Sequence, residues 1–221
     1  MKTIVILALC IGIGMITKIS LGLFAFSVGA VFLIGLIEAI RKDRNAVKKC
    51  VLQFAIFLII CAPIGLSWTV RNSVRFDMEA DYVPDVGGEY SGQYVGHLTM
   101  LEKLGIPSAE ERNYAIIQYN TELDTNIWMT MFRTALYDEG RAFQVNSEPA
   151  ERAARFVLNI NIVLAIFMLV TGVIAIFQKK ATWQLAIRLF FGLTYIVYLL
   201  NFINFNYQYP QICTMGYRYI S

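Results

Sequence analysis

Two long runs without a charged residue constrain this chain more than any other feature. Residues 50–70 and 156–178 contain no Asp, Glu, Lys or Arg. About 20 consecutive apolar residues in an α-helix cross the hydrocarbon core of a bilayer, whereas helices of water-soluble domains keep a polar face. The chain is 57% hydrophobic and only 16% charged, which excludes an intrinsically disordered protein. The sequence therefore predicts an integral membrane protein.

The N-terminal region adds two more predicted helices. Residues 3–16 are apolar but short for a span, and a second apolar run follows at 19–40. We interpret them as a helical hairpin whose first helix is short. A signal peptide over residues 1–16 is the alternative, because Lys2 opens an apolar run, although no clear small-residue cleavage site precedes the second run.

A further apolar run, residues 189–206, predicts the last span. It carries amides that indicate a side facing protein: Asn201, Asn204 and Asn206. The predicted fold class is therefore all-α, a polytopic helical membrane protein. It has about five transmembrane helices and one large extracytoplasmic loop domain with helical and irregular parts.

Charge placement predicts the orientation of these helices. Residues 41–49 hold five basic residues and one acid, and the next short loop is also basic, with Lys179, Lys180 and Arg188. Short loops rich in Lys and Arg stay in the cytoplasm. Residues 71–155 instead hold eight basic and fourteen acidic residues. The prediction is a multi-pass protein of the cell membrane, with a cytoplasmic N-terminus and an extracytoplasmic C-terminus.

This orientation divides the chain into three predicted domains. Residues 1–70 contain three transmembrane helices, residues 71–155 form the extracytoplasmic loop domain, and residues 156–221 contain two helices and an outer tail. The lone outer cysteine, Cys213, has no predicted partner for a structural disulfide on that side. The weak net charge of +3 does not favour a nucleic-acid partner.

Two helices are predicted within and at the end of the outer segment. Ser108 followed by Glu111 resembles a capping box, so a helix should begin there. Residues Asn126–Tyr137 show helical spacing, with Arg133 off the predicted apolar face: Trp128, Met131, Phe132, Ala135 and Leu136. This helix is expected to pack on the bundle or to lie on the membrane surface. Pro149 fits the first turn of a helix that leads into the fourth span.

The acidic run in the outer segment invites a calcium interpretation. An EF-hand loop that begins at Asp77 requires Gly at its sixth position and Glu at its twelfth, but the chain has Tyr82 and Gly88 there. A solvated acidic loop is the simpler interpretation. No cofactor is assigned, and a divalent metal stays open. The lone His97 has no catalytic pair nearby in the sequence, and we interpret it as a surface or loop residue.

Two arginines at the predicted outer interface are candidates for anion binding. Arg71 and Asn72 close the third span in the run SWTVRN, where an aromatic-belt residue followed by a stop-transfer charge is the alternative. Arg75 follows one helical turn later. Arg218 and Tyr219 stand in the C-terminal run CTMGYRYIS, where an interfacial anchor is the alternative. The planar guanidinium suits a phosphate or an anionic headgroup.

Several runs in order resemble one family. They are ITKISLGLF at 16–24, PIGLSWTVRNSVRF at 63–76, YVPD at 82–85, NIWMTMFRTALYDE at 126–139 and ICTMGYRYIS at 212–221. Together they resemble the middle and later part of bacterial membrane glycosyltransferases of the GT-C class, the dolichyl-phosphate-mannose protein mannosyltransferase-like proteins. The resemblance implies transfer of a sugar from a polyprenyl-phosphate donor to an acceptor on the outer face.

The resemblance also implies what this chain lacks. The acidic residue that serves such enzymes lies in a first outer loop, before the matching runs, so no catalytic residue is assigned. The chain is then expected to be a fragment or one half of a split protein, completed by a companion chain. The carried-over substrate-binding candidates are Arg71 and Asn72, then Arg218 and Tyr219, with Arg133 weaker. The lipid bilayer and a lipid-linked sugar are the implied partners.

Two other function classes compete with the glycosyltransferase. A non-enzymatic membrane subunit or assembly factor would bind a partner through its outer loop, and it predicts an exposed apolar face on the helix Asn126–Tyr137. A transporter would place ionisable residues at mid-membrane depth, and the predicted spans have none there. The transporter therefore ranks last.

Overall fold

The computed structural model describes residues 1–79, 88–89, 91–137, 147–177 and 182–220. Its described residues form α-helices, short 3-10 helices and a single isolated bridge between Tyr94 and Gln211, which confirms the all-α class. The α-helices are α1 Lys2–Thr17, α2 Phe24–Lys42, α3 Arg44–Phe76, α4 Met100–Leu104, α5 Ile127–Tyr137, α6 Glu148–Phe177 and α7 Thr182–Gln208.

Four of these helices are long and apolar enough to cross a membrane. The candidate spans are Ser20–Lys42, Arg44–Phe76, Glu148–Ile174 and Ala186–Gln208. Helix α1 is apolar but has only 16 residues, as the sequence predicts for a short first helix. The chain is therefore a membrane-embedded helical protein.

Helix α3 is longer than its uncharged run. The Asp43 side chain accepts the Ala46 N–H at 2.8 Å and caps the start, and Asp77 adopts the left-handed conformation with φ 52° at the end. Pro63 lies inside the helix and removes one backbone hydrogen bond, which membrane helices tolerate. The extra turns at both ends carry the charged residues. Arg71 therefore lies on helix α3 rather than in a loop.

The chain divides into two compact units, and the first consists of Met1–Val83 and Ile176–Val197. Its core joins α1, α2 and α3 through Ala8, Val28, Phe57 and Cys61, all buried. A Cβ atom on Gly12 would lie 3.1 Å from the Cys61 carbonyl oxygen, so glycine permits the close approach of α1 and α3.

The second unit consists of Pro84–Ala175 and Tyr198–Ser221. It has two apolar clusters, one around Val95, Ile127 and Phe202 and the other around Met129 and Leu158. Because Ile127 and Met129 both belong to α5, this helix lies between the two clusters. The segment between α3 and α6 thus has a folded core of its own, built on parts of α6 and α7.

The C-terminal tail is bound by backbone hydrogen bonds to the segment between α3 and α6. The Val95 N–H donates to the Pro210 carbonyl and the Ile212 N–H to the Gln93 carbonyl, both at 2.9 Å. The Tyr217 N–H donates to the Thr134 hydroxyl at 2.9 Å. The C-terminal tail and residues 93–134 are therefore parts of one folded core.

Three local predictions need correction, while the first-turn position of Pro149 is confirmed. Ser108 and Glu111 do form a capping box, but only a 3-10 helix, Glu111–Asn113, follows. Asn201 and Asn204 are exposed, and only Asn206 of the three amides is buried. Its side chain donates to the Phe202 carbonyl at 2.8 Å, so its buried amide has an internal acceptor.

The predicted apolar face of α5 is only partly correct, because Met131, Phe132 and Leu136 pack against the apolar clusters but are not its most buried residues. Ala135 is exposed, and Trp128, Met131, Phe132 and Leu136 are only partly buried. The fully or nearly fully buried side chains are Ile127, Met129, Thr130, Arg133 and Thr134. Helical spacing put Arg133 off the predicted apolar face of α5. Its guanidinium nevertheless finds acceptors inside the second unit, so the polar side of α5 is buried.

Candidate functional site

Arg71 stands near the end of α3 between two aromatic rings. Its guanidinium carbon lies 4.8 Å from the centroid of the Trp68 ring and 5.3 Å from that of Phe76. Its Nη1 donates to the Asn72 Oδ1 at 3.2 Å. Because α3 continues to Phe76, Arg75 lies one turn further on, with its guanidinium carbon 5.8 Å from the Phe76 ring. We call these five residues the α3 cation cluster.

The α3 cation cluster keeps its charge open to solvent. Arg71 and Arg75 are both exposed, and neither has an ion pair with a carboxylate among the residues that the structure describes. Cation–π contacts at exposed positions contribute only about 0.5–1 kcal/mol, so the rings orient the guanidiniums without neutralising them. Two oriented guanidiniums can together receive an anion with several oxygens, such as a phosphate.

The second candidate pair lies in the tail. The Arg218 Nη2 donates to the Tyr219 hydroxyl at 3.0 Å, and the guanidinium carbon lies 4.8 Å from the Tyr219 ring centroid. Tyr219 packs in turn on Phe205, with ring centroids 4.9 Å apart. Arg218 itself is exposed. The tail therefore presents this arginine on a ring that the second unit holds in place.

Arg133 occupies a very different environment from the other arginines. It is fully buried, and its guanidinium donates to the Tyr114 carbonyl at 3.1 Å, the Leu123 carbonyl at 3.0 Å and the Asp124 Oδ1 at 2.7 Å. It also donates to the Glu111 carbonyl. Four of its N–H groups are thus used inside the protein. These contacts favour a structural role over the substrate contact expected from the sequence.

Burial governs the charges around Arg133. Desolvation lowers the pKa of its guanidinium, with the charges of Asp124 and Glu111 opposing that effect. Desolvation also raises the pKa of the Asp124 carboxyl, against hydrogen bonds from the Asn120 and Gln118 N–H groups and the charge of Arg133. The pair is fully enclosed, with both side chains at 0% exposure. Such a pair organises a loop and has no open position for a ligand.

Glu111 is the second polar centre of this unit, and the sequence indicated only its capping role. Its Oε2 accepts the Ser108 N–H at 2.8 Å. Its Oε1 accepts the Thr125 hydroxyl at 2.6 Å and the N–H groups of Thr125 and Asn126 at 3.0 and 2.9 Å. Asn126 then caps α5 by accepting the Met129 N–H at 3.1 Å. One buried carboxylate thus joins the Ser108 turn to the start of α5.

The other sequence candidates remain separate from these clusters. His97 is exposed, as predicted, and the described residues contain no group of three His, Cys, Asp or Glu side chains that could hold a metal ion. Of the acidic run, Asp77, Glu79 and Glu89 are described, whereas Asp81 and Asp85 lie outside the described residues.

Local contacts bring some candidates together. Arg71 contacts Asn72, and Arg218 contacts Tyr219, but the first pair belongs to the first unit and the second pair to the second unit. The part played by Phe76 was missed from the sequence. Phe76 is one residue after Arg75 and five after Arg71, but the predicted span ended at residue 70. The sequence therefore gave no reason to place Phe76 on the same helix as these arginines.

Comparison with protein-family models, with curated proteins and with solved structures finds no match to this chain. The glycosyltransferase resemblance therefore stays a prediction from its sequence runs.

Proposed function

We propose that this chain is the lipid-binding part of a membrane glycosyltransferase that uses a polyprenyl-phosphate-linked sugar on the extracytoplasmic face. The observation that carries the proposal is the α3 cation cluster. It places two exposed guanidiniums at the end of a membrane-length helix, where the phosphate of a membrane lipid lies. Arg71 and Asn72 then bind the donor phosphate, and Trp68 contacts the isoprenoid chain.

The proposed orientation is the one predicted from charge. The N-terminus and the basic loop of residues 41–49 are cytoplasmic, and the second unit is extracytoplasmic. Backbone hydrogen bonds between the C-terminal tail and the outer segment support placing these two parts on one side. Arg218 and Tyr219 are proposed to contact the sugar or its acceptor on that side.

In this proposal Arg71 and Arg75 act on the leaving group. When the glycosidic bond to the phosphate breaks, negative charge grows on the phosphate oxygens, and a positioned cation stabilises it. No residue of this chain is assigned as the base that activates the acceptor. Arg133 is left out of the proposed site because its N–H groups are used within the second unit.

Binding of polyprenyl phosphate to the purified chain in detergent tests the proposal. Polyprenol of the same length serves as the ligand without a charge. Arg71→Gln should weaken polyprenyl phosphate binding about tenfold or more, since a hydrogen bond to a charged group contributes roughly 1.5–3 kcal/mol. Arg71→Lys should fall between, because it keeps the charge and loses the planar donor fork.

Arg152→Gln is the matched control, because Arg152 is an exposed helical arginine far along the chain from the α3 cation cluster. Equal binding of polyprenyl phosphate and polyprenol would refute the proposal, as would equal losses in Arg71→Gln and Arg152→Gln. Release of polyprenyl phosphate from a labelled glycosyl lipid, compared in native membranes with and without this chain, then separates an enzyme from a lipid-binding subunit.

A non-enzymatic subunit is the second candidate function. Its specific support is the pair Leu101 and Ile106, whose side chains are 85% and 89% exposed in the second unit. The exposed apolar face that this candidate predicts on α5 is not found, since only Ala135 among its predicted face residues is exposed. Crosslinking from position 101 to another membrane protein, with loss of assembly in Leu101→Ser, would favour this candidate.

A further inference from the structure

A cavity of about 310 Å³ opens within the first unit, away from the α3 cation cluster. Its wall is almost entirely apolar and comes from four helices, α1, α2, α3 and α7. The lining residues include Ile4, Val28, Phe32, Gly35, Gln53 and Phe190. Because α2, α3 and α7 contain candidate membrane spans, lipid is the apolar ligand expected to reach this cavity. An acyl chain is therefore the chemical group that matches its wall.

The position of the cavity along the helices places it near the basic loop. It is lined by the middle of α2, from Val28 to Gly35, and by the second and third turns of α3, through Cys50 and Gln53. Helix α2 ends and α3 begins at Asp43, so these lining residues lie within a few turns of the loop between the two helices. The near edge of the cavity, at Gly35 and Cys50, thus lies within about two turns of residues 41–49.

The basic residues of this loop are open to an anion. Arg41, Lys42, Arg44, Lys48 and Lys49 are all exposed, and none has an ion pair within the described residues. Asp43 is occupied with the Ala46 N–H as the cap of α3. Clusters of four to eight basic residues beside a transmembrane helix attract anionic lipid headgroups.

Helical spacing connects two of these lysines with the cavity. Lys49 lies one turn before Gln53, about 6 Å nearer the loop on the same side of α3. Lys42 lies two turns after Gly35 on the same side of α2. Arg41 instead lies on the same side of α2 as Ile37, and Lys48 lies on the same side of α3 as Leu52. Ile37 and Leu52 are 44% and 55% exposed. The two lysines therefore extend the cavity wall toward the headgroup level.

We infer that this end of the bundle is a binding site for one anionic phospholipid. One of the two acyl chains of this lipid occupies the cavity, and Lys42 and Lys49 bind the lipid phosphate. Gln53, whose amide has no hydrogen-bond partner among the described residues, is placed to donate to an ester carbonyl between the two. This site is independent of the proposed glycosyltransferase function, because Arg71 lies at the other end of α3.

Native mass spectrometry of the full protein chain in detergent tests whether the two lysines bind the lipid headgroup. Dioleoylphosphatidylglycerol is the probe, and dioleoylphosphatidylcholine carries the same chains without net charge. Lys42→Gln/Lys49→Gln should reduce retention of the anionic lipid by roughly fivefold for each lysine removed. Arg41→Gln/Lys48→Gln removes the same charge from the other helix sides and should change it much less. Equal losses in the two double variants would overturn the site.

A variant whose side chain fills the cavity tests the acyl-chain part of the proposal. A Cβ atom on Gly35 would lie 3.8 Å from the Cys50 Sγ, an ordinary contact, so a larger side chain there extends into the cavity. Gly35→Leu should lower retention of both lipids at least fivefold. Gly29→Leu is the control on the same helix, since a Cβ atom there meets nothing within 4 Å. Retention in Gly35→Leu equal to that in Gly29→Leu would overturn the acyl-chain assignment.

Discussion

At the scale of single residues, the arginines of this chain divide by what their N–H groups contact. Arg133 donates to three backbone carbonyls and to Asp124 inside the second unit, whereas Arg71 rests on aromatic rings with its charge exposed. Burying a guanidinium is costly unless its donors are satisfied. The first arrangement therefore organises structure, and the second leaves a cation available for a ligand.

Removal of Arg133 should strongly destabilise the second unit. Arg133→Met leaves Asp124 buried without its partner, and breaking a buried pair from one side costs about 3–5 kcal/mol. Arg152→Met is the control, because its pair with Glu148 is 3.4 Å long and exposed, and such pairs contribute less than about 1 kcal/mol. Hydrogen exchange of the α5 amides in the full chain measures both. Equal protection in the two variants would contradict the structural role of Arg133.

Glu111 should contribute far more to the free energy of unfolding than its neighbour Glu110. Glu111→Ala leaves the N–H groups of Ser108, Thr125 and Asn126 without an acceptor, at about 1–3 kcal/mol for each group that stays buried. Glu110 is exposed, so Glu110→Ala should change the free energy of unfolding by about 0.5 kcal/mol or less. Chemical unfolding of the two variants in the same detergent compares them, and similar midpoints would be evidence against the Glu111 network.

At the scale of elements, α4 shows how a five-residue helix is held. Thr99 and Glu102 form a reciprocal capping box, with the Thr99 N–H donating to the Glu102 carboxylate at 2.7 Å. The carbonyls of Leu104 and Gly105 at its end accept the Trp128 indole N–H and the Asn126 amide, at 2.9 and 2.8 Å. A helix this short is not stable alone, so these contacts at both ends keep it ordered.

The capping box makes α4 sensitive to acid. Hydrogen bonds from the Thr99 N–H and hydroxyl lower the pKa of the Glu102 carboxyl below its ordinary value of 4.5. A lowered pKa gives stability that is present above pH 4.5 and is lost as the pH falls through the lower folded value. Amide exchange in α4, corrected for intrinsic rates, should therefore speed up between pH 6 and pH 3. In Glu102→Gln this change should be absent, and an unchanged pH response there would rule out the cap as its cause.

The helices could be predicted because the local sequence pattern determines them. The side that each helix buries could not. The uncharged runs contain the spans, and Asn126–Tyr137 predicts α5 almost to the residue. The inward face of α5 was missed because Arg133 finds its acceptors in backbone carbonyls, such as those of Tyr114 and Leu123, that hydropathy does not register. The capping box at Thr99 was present in the sequence, three residues before Glu102, and was overlooked.

At the scale of the whole molecule, the two compact units correspond only partly to the predicted domains. The predicted boundary at residue 71 falls inside α3, because the helix continues for two turns past its uncharged run. The C-terminal tail, assigned from sequence to the last membrane domain, belongs to the second unit. Hydrophobicity indicates which residues enter a membrane, but tertiary hydrogen bonds decide which outer segments fold together.

The charge asymmetry of the whole chain predicts its orientation in the membrane. Replacement of the four cysteines by Ala, followed by Glu122→Cys or Lys48→Cys, gives two exposed single-cysteine chains. A maleimide that cannot cross membranes should label Glu122→Cys in intact cells and Lys48→Cys only after permeabilisation. The opposite labelling would place the second unit in the cytoplasm. It would also leave the α3 cation cluster facing the wrong side for the proposed extracytoplasmic donor, whereas the phospholipid site would keep its geometry and change leaflet.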